Sequence, residues 1–98
     1  MAEPDDVIHQ QNRLKIMSAL NALKEGEWCE FMRLRAVVQA TDGNLGTHLA
    51  TLEKAGYVAI KKEFVGKKPR TSIAITRVGR KAFAAHVDFL REMIGDTD

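Results

Sequence analysis

The sequence predicts a single α+β domain that is mostly helical, with a β-hairpin before its last helix. Through most of the chain, apolar residues recur at intervals of three and four, which is the spacing of a helix with one buried face. After Gly56 the interval changes to two, as in a strand. The 98 residues are 45% hydrophobic and 29% charged, an ordinary globular composition that fits one domain over residues 1–98.

The first two helices are indicated by the spacing of their apolar residues. The first is predicted over roughly residues 5–24 and ends before Gly26. Its apolar face includes Leu14, Met17 and Leu20. After a stretch long enough only for a very short strand, the second helix begins at Phe31 and ends near Gln39.

The third helix is predicted over residues 42–55. Thr41 precedes it as an N-cap, because a threonine hydroxyl can accept a hydrogen bond from a free N–H of the first turn. Gly56 follows it and can adopt the left-handed conformation that ends many helices. The inward face consists of Leu45, Leu49 and Leu52.

The alternating pattern after Gly56 predicts a hairpin and then a last helix. The strands are residues 57–64 and 71–75, joined by a four-residue turn at 66–69. Thr76 is the expected N-cap of the last helix, residues 77–94. Residues 95–98 should form a frayed acidic tail.

Charge is distributed unevenly along the chain. The formal net charge is +2, but residues 60–81 contain eight basic residues and one acidic residue, a local charge of +7. The rest of the chain therefore carries −5. A polyanion responds to local rather than net charge, so this segment predicts a nucleic-acid-binding surface. The alternative is a solvated, lysine-rich hairpin.

Several classes of protein find no support in the sequence. Cys29 is the only cysteine, which excludes an internal disulfide and a cysteine-based structural zinc site. No stretch reaches the ~18 consecutive apolar residues of a membrane helix, and residues 1–6 are acidic, unlike a signal peptide. We therefore expect a cytoplasmic protein without a membrane partner. No catalytic constellation or phosphate-binding glycine loop is evident, so we expect neither an enzyme nor a cofactor.

Three segments in succession resemble the winged helix-turn-helix regulators of the MarR/ArsR-like group. Residues 41–58, which contain TDGNL and LEKAGYV, are similar to the recognition-helix region of that group. The segment FVGKKPRT, residues 64–71, resembles its wing, and Thr76-x-x-Gly79-Arg80 resembles the start of its last helix. The resemblance covers roughly residues 10–95. It implies three helices, a β-hairpin wing and a long C-terminal dimerisation helix, in a transcriptional regulator, more often a repressor than an activator, that binds double-stranded DNA.

Helix geometry identifies the residues that would contact DNA. If the three leucines face inward, an advance of ~100° per residue places small and polar side chains outward or on the flank. These candidates on the third helix are Gly43, Asn44, Thr47, His48, Thr51 and Lys54. Asn44 could read adenine or support the start of the helix, the threonines could donate hydrogen bonds to bases or phosphates, and His48 could instead pack on a neighbouring helix.

The candidates on the wing are Lys67, Lys68 and Arg70. They would follow the DNA backbone, or Arg70 would enter the minor groove. Arg77, Arg80 and Lys81 lie in the first turns of the last helix, where the helix dipole disfavours cations, and this hints at phosphate contacts.

The last helix is apolar over about 160° of its surface, which is wider than a single core contact needs. We therefore predict a homodimer that buries Phe89, Leu90, Met93 and Ile94, with contacts from the first turns of the first helix. His86 should be a rim or core residue rather than a ligand. A winged helix that binds proteins instead of DNA, and a regulator that senses oxidants through Cys29, remain the alternatives. The paired cysteines of ArsR-type metal sensors are missing, and the residues identify no operator, regulated gene or small-molecule effector.

Overall fold

Four helices and a three-stranded antiparallel sheet make up the computed structural model, which describes residues 2–95. In chain order the elements are α1 Gln11–Asn21, β1 Cys29–Glu30, α2 Phe31–Val38, α3 Asp42–Lys54, β2 Val58–Val65, β3 Lys68–Ile75 and α4 Arg77–Met93. The sheet order is β1-β3-β2. The predicted order of elements and the mostly helical α+β class are confirmed. The predicted tail lies outside the described residues, apart from Gly95.

Helix α1 is shorter than the predicted 5–24. The Asp5 carboxylate accepts hydrogen bonds from the backbone N–H groups of Val7 and Ile8, which folds residues 6–9 into a turn. The Gln10 side chain then caps the helix by accepting from the N–H of Arg13. Local side-chain hydrogen bonds therefore determine where the helix begins, although apolar residues continue at helical spacing before it.

The hairpin turn is also tighter than predicted. Val65 pairs with Lys68, so the turn consists of Gly66 and Lys67 alone, and Lys68 and Pro69 belong to β3 rather than to a four-residue turn. Gly66 has a φ of 66°, a left-handed value that a two-residue hairpin turn requires and that glycine adopts without strain.

The core lies between α1, α2, α3 and the base of the sheet. The predicted inward face of α3 is buried, as are Met17 and Leu20 of α1, whereas Leu14 is partly buried. The fully or almost fully buried hydrophobic residues of the elements are Ile16, Met17, Leu20, Leu34, Leu45, Leu49, Leu52, Val58 and Ile73. Among the described residues, no helix is both long enough and apolar enough to cross a bilayer.

The start of helix α4 is attached to the residues just before β2 and to the end of α1. The hydroxyl of Thr76 caps α4 by accepting from the N–H of Gly79, as predicted, and donates to the carbonyl of Gly56. The guanidinium of Arg80 donates to the carbonyls of Asn21 and Leu23 at the end of α1. The hint that Arg80 contacts phosphate is therefore not supported, because this side chain stabilises free carbonyls at a helix C-terminus.

The segment before α1 folds back on α4. The N–H of Asp5 donates to His86 Nδ1 at 3.1 Å, and the hydroxyl of Tyr57 donates to the Asp5 carboxylate at 2.5 Å. This hydrogen bond, with burial, raises the pKa of Tyr57 to about 12. His86 is fully buried and stacks on Phe89, so it is a core residue.

Candidate nucleic-acid interface

The outer face of α3 is exposed and polar, as the helix geometry predicted. Gly43, Asn44, Thr47 and Lys54 are exposed, and Thr51 is half-buried. The hydroxyl of Thr41 accepts from the N–H of Asn44 at 3.1 Å, which confirms the predicted N-cap. Because Thr41 provides the cap, the exposed side chain of Asn44 is not required for it and can contact a base.

The threonines of α3 use their hydroxyl hydrogens within the helix. Thr47 donates to the carbonyl of Gly43 at 2.9 Å, and Thr51 donates to that of Thr47 at 3.2 Å. We predicted that these side chains donate to DNA. With the hydrogens already engaged, they instead offer oxygen lone pairs and methyl groups, which suit amino groups of adenine or cytosine and the methyl of thymine.

His48 lies on the side of α3 that contacts α1. It is half-buried, and its Nδ1 is 3.3 Å from Nη1 of Arg13. Burial and the neighbouring Arg13 charge lower the pKa of His48, so the ring is neutral at pH 7. This position agrees with the alternative that His48 packs on a neighbouring helix. A contact between His48 and DNA stays a prediction.

The wing carries two free lysines and one arginine that is paired with acids. Lys67 and Lys68 at the tip are exposed. The Arg70 guanidinium lies 3.2 Å from a carboxylate oxygen of Glu63 on β2 and 3.4 Å from one of Glu30 on β1. Arg70 is therefore partly neutralised and oriented by acids on both sides, a pairing that sequence reasoning missed.

A concave groove of about 650 Å³ separates α3 from the wing. The residues that line it are Phe31, Gly46, Leu49, Ala50, Glu53, Ile60, Lys62 and Thr71. Lys62 is the exposed cation of this groove, and it shares the groove with Ala50 and Glu53 of α3. We did not single it out from the sequence, although its alternation with Ile60 indicates that both share one face of β2.

The thiol of Cys29 does not have the properties of a reactive site. It is half-buried and lies 3.5 Å from the carbonyl of Glu30. Burial raises its pKa, whereas a redox-sensing thiol needs exposure and a lowered pKa. Within residues 2–95, no group of three or more potential side-chain ligands could hold a metal ion.

The proposed dimer residues of α4 differ in exposure. Met93 is 62% exposed and Ile94, the C-cap, is 75% exposed, whereas Phe89 and Leu90 are half-buried. Helix α4 ends at Met93 rather than at residue 94 as predicted. Its end therefore presents apolar surface that residues 2–95 leave uncovered.

Comparison with known proteins agrees with this arrangement. A family model described as a winged helix DNA-binding domain matches residues 12–94. An uncharacterised protein of Methanocaldococcus jannaschii is 41% identical over 75 residues, 76% of this chain and 78% of the relative. A transcriptional regulator homologue from Pyrococcus horikoshii OT3 is 27% identical, with a TM-score of 0.81 and coverage of 93% of this chain and 87% of the other. A MarR-family regulator from Silicibacter pomeroyi shares the fold, with a TM-score of 0.67, 20% identity and coverage of 95% of this chain and 61% of the other. The winged-helix fold and the MarR-like resemblance are confirmed.

Proposed function

Because the chain belongs to the winged helix DNA-binding domain family, we propose that it is a homodimeric, sequence-specific transcriptional regulator that represses by occupying its operator. Residues 42–55 would read the major groove, and the wing at 66–70 would contact the backbone or the minor groove. The observation that carries the proposal is the exposed polar face of α3 beside a cationic wing, across one groove. We expect a regulator of this kind to work in the cytoplasm.

The electrostatic part of the interface comes mainly from Lys62, Lys67 and Lys68. These three ammonium groups are exposed, whereas Arg70 already has two carboxylate partners. A phosphate that binds Arg70 must compete with these carboxylates, so this side chain should add less to the salt dependence of binding than a free lysine does.

The first test measures duplex binding as a function of salt. Replacing Lys67 and Lys68 with alanine should weaken binding to all sequences and reduce the salt slope by about two units, because each lysine contributes roughly one. Arg70→Ala should reduce it by less than one unit. Lys24→Ala, an exposed lysine after α1, serves as the charge-matched control and should leave the slope unchanged. An unchanged salt slope in the double variant would show that the wing does not contact DNA.

The second test separates base reading from backbone contact. A duplex is selected from random sequences, and the variants are compared on it and on random DNA at one salt concentration. Thr47→Val keeps the shape but removes the oxygen, and should cost about 1–3 kcal/mol on the selected duplex and little on random DNA. Thr51→Val is expected to behave alike. Equal losses of affinity on both duplexes would show that these residues contact only the DNA backbone.

The dimer is supported by the uncovered apolar end of α4. Burying Met93 and Ile94 against a partner, with the outer edges of Phe89 and Leu90 and the first turns of α1, would remove this surface from water. A two-fold dimer would place two α3 helices about 34 Å apart, one turn of duplex, and would suit a palindromic operator.

Folding and association should then be coupled, so the thermal midpoint should rise with protein concentration. Met93→Glu should give a monomer or an unfolded chain, because it places a charge in the interface, and high-affinity operator binding should disappear. Sedimentation of the unmutated protein as a folded monomer at micromolar concentration would contradict the dimer. A folded protein that binds no duplex at about 0.1 M salt would favour the protein-interaction alternative instead.

A further inference from the structure

The tip of the wing carries an apolar pair that nothing in the described chain covers. Phe64 is 74% exposed, and its cross-strand partner in the β2–β3 register is Pro69. Residues directly opposite each other in an antiparallel pair project from the same face, so the aromatic ring and the proline ring lie side by side. A single exposed phenylalanine on a surface is ordinary, but this one lies on a projecting hairpin beside Lys67 and Lys68.

This pair belongs to the face of the wing that looks toward α3. Ile60 and Lys62 line the groove against α3, and Phe64 follows them at the next alternate position of β2. Glu63 and Arg70 pair with each other on the opposite face. The apolar pair is therefore the outer end of the proposed DNA-facing surface, and the salt-bridged arginine lies behind it.

The surroundings of Phe64 indicate what its partner is. The exposed charged side chains around Phe64 on its own face and in the turn are Lys62 and Lys67, whereas Lys68 and the ion-paired Arg70 belong to the opposite face, so the partner must be anionic around an apolar centre. Duplex DNA meets this requirement, because phosphates flank a minor groove whose base steps accept apolar side chains. We propose that Phe64, supported by Pro69, is a wedge that enters the minor groove, partly unstacks one base step and bends the duplex. This inference rests on the proposed function and adds to it a mode of DNA deformation.

The experiment uses the full chain and the duplex selected above. One adenine at a time across the site is replaced by 2-aminopurine, whose fluorescence rises on unstacking, and the bend is followed by energy transfer between labelled ends. The unmutated protein should raise the fluorescence at one step under the wing and bend the duplex by about 20–90°. Phe64→Ala should lose both signals and bind roughly tenfold more weakly. Its salt slope should stay unchanged, because an apolar side chain releases no counterions.

Two variants sharpen the interpretation. Phe64→Leu retains an apolar wedge and should preserve the bend, whereas Val65→Ala alters an exposed apolar residue of the opposite face and should change nothing. Because both side chains, Phe64 and Val65, are exposed, folding is not at risk.

The possible failures can be told apart. Tight binding without a fluorescence rise at any step, or with the same bend in Phe64→Ala, would overturn the wedge and leave the proposed function intact. A loss of self-association in Phe64→Ala, with the bend unchanged, would assign this pair to a contact between copies of the chain. The absence of any duplex binding by the unmutated protein would overturn both proposals.

Discussion

Adding one methyl group at Gly79 tests how α4 is held against the start of the wing. A Cβ at this position would overlap the carbonyl oxygen of Tyr57 and lie 3.0 Å from Cγ1 of Ile75. The Tyr57 carbonyl also accepts a hydrogen bond from the N–H of Thr76 at 3.0 Å, which holds the backbone in place. The clash therefore cannot be relieved by a side-chain rotation and must move α4 away from β2.

Two opposing effects determine the expected stability of Gly79→Ala. Alanine is favoured over glycine inside a helix by about 0.8–1.0 kcal/mol. Overpacking against a fixed backbone costs about 1–3 kcal/mol, and a contact this close belongs at the upper end of that range or beyond it. The net loss should be about 2 kcal/mol or more, which corresponds to a fall in Tm of at least roughly 8–16 °C for a domain of this size.

Urea unfolding and thermal melts at one fixed protein concentration would measure this loss. Gly46→Ala is the matched control, because Gly46 also lies in a helix but no atom comes within 4 Å of a Cβ added there. That variant should gain up to about 1 kcal/mol from helix propensity alone. A Gly79→Ala protein as stable as the unmutated chain would refute the close approach of α4 to Tyr57.

Three further predictions follow from contacts around α4. His86→Asn keeps an acceptor for the N–H of Asp5 but cannot be protonated. Burial, and then His9, lower the pKa of His86 below its ordinary 6.5, so the unmutated protein should lose stability as the pH falls from about 6.5 through that lowered value. Urea unfolding at each pH should show a flatter dependence of stability on pH for the variant. Tyr57→Phe should lower the free energy of unfolding by about 1 kcal/mol. Absorbance titration of the single tyrosine in the unmutated protein should give a midpoint near 12, and a midpoint near 10 would be inconsistent with the Asp5 hydrogen bond. Arg80→Gln should lower the free energy of unfolding by about 1–3 kcal/mol without changing the salt slope of DNA binding, whereas Arg77→Gln, which removes an exposed ion pair, should leave stability almost unchanged.

Sequence patterns predicted the elements best where several local signals agreed. For α3, the threonine cap, the leucine face and Gly56 all point to the same boundaries, and the prediction is within one residue of Asp42–Lys54. For α1, the residues Pro4, Asp5 and Asp6 before the apolar repeat predict a start near residue 5, whereas the helix begins at Gln11. The side chain of Asp5 makes a turn there, and periodicity does not detect such a hydrogen bond.

The candidate site was predictable where it depends on one element and not where it depends on several. The outward residues of α3 follow from helical geometry, and their exposure agrees with it. The pairing of Arg70 with Glu30 depends on the antiparallel pairing of β1 with β3, between residues 40 positions apart. Likewise, Lys62 could be placed on a strand, but only the packing of the sheet beside α3 decides which face of that strand borders the groove.

The pairing of Arg70 also affects how quickly the protein can recognise its site. By linking Glu30, next to the first residue of α2, with Glu63 on the wing, it ties the hairpin to the helical part of the domain, and Lys61 over the ring of Trp28 adds a second link. These contacts favour one orientation of the wing before any encounter. Association then resembles the docking of a nearly rigid surface, with little ordering of loops to slow the final step, so its rate should be governed by electrostatic steering and diffusion.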